Sequence, residues 1–245
     1  MPACDRLKVD FLLVQKKVLA AKSAFVPPLV LVLVIAYVWA RDSASLAMKF
    51  FLFLFPHIFL FFSQDMMRDE LESGALENIL FMDGRFRSYL LSKNSFLFLM
   101  ASGVAVTALA VLAVCGLAVG DLPASFAPQF GMGLVAGAYY IALGGYLSFF
   151  FRGGSNALIV IVAQLSLFIG LLFSAAQKSG FVDHLVSASF PGWGSRIKLF
   201  IFLGIFPNMV ASENYFIYSL AVAGLGCFFF ILQMMKLRSL ELKKR

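Results

Sequence analysis

The chain has 245 residues, of which 61% are hydrophobic and 13% charged, with a mean hydropathy of +0.90. A soluble domain carries about 25% charged residues, so an ordinary water-soluble fold is excluded. The net charge of +7 would suit nucleic acid, but lysines and arginines cluster at the ends of apolar runs instead of forming one soluble face, which points to a membrane and away from nucleic acid.

Asp5 to Lys22 predicts an amphipathic helix, with Leu7, Phe11, Val14 and Val18 on one face of a 3.6-residue period. Such a helix lies in the headgroup plane with its basic side toward anionic lipid. No small-residue cleavage site ends a short apolar run, so the first span is expected to stay as an anchor.

Six spans are expected: Ser23–Ala40, Leu46–Phe62, Ser95–Val119, Pro128–Phe151, Ala157–Ala176 and Tyr215–Met235. About 20 helical residues cover the ~30 Å hydrocarbon core, and the second run is marginal by that measure. Pro27 and Pro28 fall in the first turns of the first span, where proline is tolerated. Between the last two spans, Ile197–Phe206 is apolar but too short to cross, which suits a re-entrant or interfacial segment anchored by Trp193. The fold class expected is an all-α polytopic membrane protein: six transmembrane helices, an N-terminal interfacial helix and a re-entrant segment before the last span.

With the N-terminus inside, fifteen lysines and arginines fall on the cytoplasmic side and four outside. That bias places both termini and the charged segment Gln64–Asn94 in the cytoplasm. Gly133, Gly137 and Gly144 form a small-residue face in the fourth span, a packing signal. The phenylalanine-rich second span is read as facing lipid or packing a helix seam.

No phosphate loop, HExxH or GxSxG occurs, and the two histidines and three scattered cysteines have no metal-ligand spacing. No cofactor is expected in this chain. Two polar groups sit within the second span, Lys49 and His57. Intramembrane charge is by default a functional hypothesis, so both are candidates for a transport path. The bland readings are that Lys49 snorkels to the headgroups and that His57 takes a carbonyl freed by Pro56.

Gln64–Asn94 is the long polar segment between two apolar runs. Its acids come first (Asp65, Asp69, Glu70, Glu72, Glu77, Asp83), and its bases mostly later (Arg85, Arg87, Lys93). Leu71, Ala75, Leu76, Ile79 and Leu80 give a short helix an apolar stripe suited to a partner's groove. The pattern Glu72-Ser73-Gly74-Ala75-Leu76-Glu77, followed by Arg85, Arg87, Tyr89 and Lys93, resembles the first cytoplasmic loop of type-2 ABC exporter permeases. Asp83-Gly84 stands where that family often has proline, and Asp-Gly makes the same turn. RDELESGALE and Arg152-Gly153-Gly154 are also similar to the haem-exporter permease branch, from which the long segment before the sixth span departs.

The resemblance implies a permease subunit of an ATP-driven exporter in a bacterial inner or plasma membrane. It implies pairing with a second copy or close homologue and with separate ABC ATPase subunits that carry the ATP; the chain itself would not be an enzyme. The coupling residues implied are Arg68, Asp69, Glu70, Glu72, Gly74, Leu76, Glu77, Arg85, Arg87 and Lys93. The alternative is an ion-gradient-driven carrier or channel using Lys49 and His57. An intramembrane enzyme lacks any nucleophile–base or metal constellation.

Overall fold

The computed structural model describes residues 26–72, 74, 86–119, 126–151, 155–176, 192–207 and 215–242. Among them every regular element is an α-helix: α1 Val26–Arg41, α2 Ala44–Leu54, α3 Pro56–Phe62, α4 Arg68–Glu72, α5 Phe86–Val119, α6 Phe126–Leu147, α7 Ser155–Ala176, α8 Trp193–Ile205 and α9 Tyr215–Leu242. The amphipathic segment Asp5–Lys22 lies outside the described residues.

Among the described residues, five stretches are long and apolar enough to cross a membrane: Ala44–Phe62, Tyr89–Ala118, Phe126–Leu147, Ser155–Ala176 and Tyr218–Leu240. The expected first span corresponds to α1, which has 16 residues. Helix α5 differs most from expectation. It begins at Phe86 and runs for 34 residues, so the last nine positions of the polar segment are its opening turns. Hydropathy marks where a helix enters hydrocarbon, not where hydrogen bonding starts.

Ser43 caps helix α2: its hydroxyl accepts from Leu46 N at 3.1 Å, a side-chain N-cap. Its continuation breaks at Phe55 because Pro56 has no N–H to donate to the preceding turn. Ile58 N bonds Phe55 O at 2.9 Å, and the chain resumes as α3.

Helix α6 occupies the centre, packed on α2, α3, α5, α7 and α9. Its glycine face permits this. A Cβ on Gly137 would lie 2.7 Å from the Phe59 ring, and one on Gly133 or Gly144 would collide with Phe55 or Ser63. Phe51, Phe55 and Phe59 are fully buried. Phe55 stacks on Phe51 at 5.3 Å and on Phe130 at 5.0 Å between centroids, and Phe59 meets Phe98 at 5.4 Å. The phenylalanine-rich run thus forms a helix seam. On the far side Gly226 of α9 lies against the Tyr139 backbone, and Gln233 Nε2 donates to Ala142 O. Helices α3, α6 and α9 therefore run parallel, with α5 antiparallel to them. The outer faces of α5 and α7 expose Leu99, Val111, Leu117, Leu158, Leu165 and Phe173, the surface that hydrocarbon would cover.

Candidate functional site

Charge concentrates where α3 turns through α4 toward α5. Asp65 has φ 53°, a left-handed conformation that aspartate tolerates better than most residues. Met67 N then donates to Ser148 Oγ at 3.1 Å, tying the turn to the end of α6. Helix α4 is a short piece, RDELE, and Gly74 follows with φ 68°. Glycine takes that conformation without Cβ strain, and Gly74 N bonds Leu71 O at 3.4 Å, which closes the helix.

Inside this elbow Glu70 and Lys93 are 5% and 6% exposed. Lys93 Nζ lies 2.7 Å from Glu70 Oε1 and donates to Met66 O at 2.5 Å. Tyr89 OH donates to the other carboxylate oxygen. Tyr89 sits one turn before Lys93, and the ammonium lies 5.6 Å from its ring centroid. A buried ion pair is tolerated when its remaining hydrogen-bonding capacity is met, and here the carboxylate and the ammonium each have further partners. The pair joins α4 to α5 through charge, while Ser148 joins the same turn to α6.

On the outward side, Arg68 Nε lies 2.8 Å from Glu72 Oε1, with side chains 36% and 37% exposed. Asp69 and Arg87 are exposed and Gly74 is half-buried. The residues of the implied coupling set thus divide. Arg68, Asp69, Glu72 and Arg87 are at the surface, whereas Glu70 and Lys93 face inward and bond each other. Leu76, Glu77 and Arg85 lie outside the described residues.

A second polar cluster sits within the spans. His57 Nδ1 donates to Leu54 O at 3.0 Å, the carbonyl that Ile58 N would take in an unbroken helix. Its Nε2 lies 2.8 Å from Gln164 Oε1 on α7. Gln164 Nε2 donates to Tyr140 OH at 2.6 Å and to Ile205 O at 2.8 Å. Tyr139 OH donates to Gly204 O. These bonds hold the C-terminal end of α8 against α6 and α7. Lys49 is exposed on α2, so the two residues named for a transport path part: one faces outward, the other inward.

Sequence reasoning missed Gln164, Tyr140 and Ser148. The signal for Gln164 was present, a lone amide inside an apolar run, and such residues bond between helices. Ser148 had no signal, because serines end many helices. Among the described residues no group of three His, Cys, Asp or Glu side chains could hold a metal ion.

The chain matches no protein-family model, no curated protein and no solved structure.

Proposed function

We propose that the chain is a transmembrane permease subunit of an ATP-driven exporter, with ATP hydrolysis on a partner chain and α4 as the contact that receives force. The observation that supports this best is the elbow. Transmission needs an exposed contact face with a stiff internal anchorage. Arg68, Asp69 and Glu72 supply the face, and Glu70–Lys93 with Met67–Ser148 supply the anchorage to α5 and α6. A push on α4 would therefore act on two spans together. Coupling requires nucleotide state to change the relative stability of two arrangements of the paired subunits.

In the same reading, six crossings put both termini in the cytoplasm of a bacterial inner or plasma membrane. The subunit pairs with a second copy or homologue, and α8 is the re-entrant segment, its end held by Gln164 and Tyr139. The carrier alternative has less support, because Lys49 faces outward and does not join His57.

The test is ATP hydrolysis by the complex purified from native membranes with its nucleotide-binding subunits. Glu72→Lys reverses an exposed charge, and Gly74→Pro abolishes a left-handed closure. Each is expected to leave insertion intact and lower stimulated hydrolysis about ten-fold or more. Transport by the purified chain alone under an ion gradient would overturn the reading.

A further inference from the structure

A groove of about 900 Å³ opens between α5, α6 and α9. Its walls are apolar, with Leu91 and Phe98 from α5, Ala138 from α6, and Cys227 and Phe230 from α9. Asn94 and Ser95 bring the polar lining to the end nearest Lys93. At that level Asn94 Nδ2 donates to Gln233 Oε1 at 3.3 Å, linking α5 to α9.

Helical register extends both walls past that link. On α5 the lining positions 91, 94, 95 and 98 continue one turn back to Arg87. On α9 the positions 223, 227, 230 and 231 continue two turns on to Arg238. Both arginines are exposed. The helices are antiparallel, so seven residues back from Asn94 and five on from Gln233 lead toward the same end of the bundle. At 1.5 Å per residue those steps are about 10 Å and about 7.5 Å. Two guanidinium-bearing positions therefore stand at nearly equal depth beyond the polar end of an apolar groove.

We infer that this groove seats an anionic glycerophospholipid, an acyl chain lying along α5, α6 and α9 and the phosphate held between Arg87 and Arg238. Guanidinium groups bind phosphate through paired, charge-assisted hydrogen bonds, and the apolar walls match a chain but offer nothing to a soluble anion. A second copy docked groove to groove would bring two arginine rims together, because an isologous contact sets each patch against itself. The inference rests on the membrane-spanning fold and not on the ATP-driven reading.

The test uses the full chain in neutral detergent, without nucleotide, equilibrated with equal amounts of phosphatidylglycerol and phosphatidylcholine of the same chain length. Retained lipid is identified by native mass spectrometry. The wild-type chain is expected to keep one phosphatidylglycerol, preferred about ten-fold or more. Arg87→Glu with Arg238→Glu should bring the preference near unity. Ala138→Trp fills the groove from an exposed position and should abolish retention; Ala223→Leu, also exposed on the lining, does the same from the opposite wall should the tryptophan variant misfold. Equal retention of the two lipids by the wild type would overturn the proposal. So would a preference that survives the arginine reversals or both groove-filling variants, or a lipid-free two-chain species.

Discussion

Glu70 and Glu72 are two residues apart and have opposite consequences. Removing one partner of a buried, bonded charge pair costs about 3–5 kcal/mol, because the other charge loses its counter-charge. Glu70→Ala or Lys93→Ala is therefore expected to lower stability by that order in a denaturant titration of the detergent-solubilised chain. Glu70→Leu combined with Lys93→Met should recover most of it. Glu72→Ala breaks an exposed pair worth well under about 1 kcal/mol and should leave the same curve unmoved. Gln164→Leu removes the amide's bonds to Tyr140 OH and Ile205 O together with its contact to His57 Nε2. At about 1–3 kcal/mol for an unsatisfied buried group, it should loosen α8, which limited proteolysis would detect as earlier cleavage near Trp193–Ile205. The acidic-then-basic order of the segment was legible in the sequence. Which acid turns inward was not, because that depends on Lys93 arriving from another helix.

Helix α6 carries glycine where two neighbours approach, and position decides the effect of adding one methyl group. A Cβ added at Gly103 of α5 would meet nothing within 4 Å. There Gly103→Ala gains helix propensity, up to about 1 kcal/mol. At Gly137 the same carbon meets the Phe59 ring at 2.7 Å, and Phe59 is fully buried. Overpacking of that kind costs about 1–3 kcal/mol, more than propensity returns. Gly137→Ala is expected to destabilise and Gly103→Ala to be neutral or stabilising, both read by thermal unfolding in detergent. Phe59→Leu should partly rescue Gly137→Ala, since the clash is with the ring. The glycine spacing announced close packing at the sequence level, but not its partner. Pro56 likewise announced a break in the second span and a freed carbonyl for His57, while the identity of that carbonyl, Leu54 O, left over when Ile58 N bonds Phe55 O instead, emerges only in the folded chain.

At the scale of the whole molecule, α1 decides the topology. Among the described residues five stretches are long and apolar enough to cross, and α1 contributes 16 residues, about 24 Å against a ~30 Å core. The basic residues give the opposing argument. Fifteen of them fall on one side only if an even number of crossings separates the termini, which requires α1 to cross with help from its flanks. Its placement agrees with that role. It packs on α2, Ile35 is 3% exposed, and Leu33 and Tyr37 are exposed as a lipid-facing helix would leave them. Arg41 stands at its end with its guanidinium 5.9 Å from the Tyr37 ring centroid, an interfacial pairing. Reporter fusions at Met1 and Arg245 that are active only in the cytoplasm are therefore expected to be active at both ends. Activity at one end alone would leave five crossings, move the tail or the head to the far side, and remove the charge argument by which the proposed function sets α4 on the cytoplasmic side.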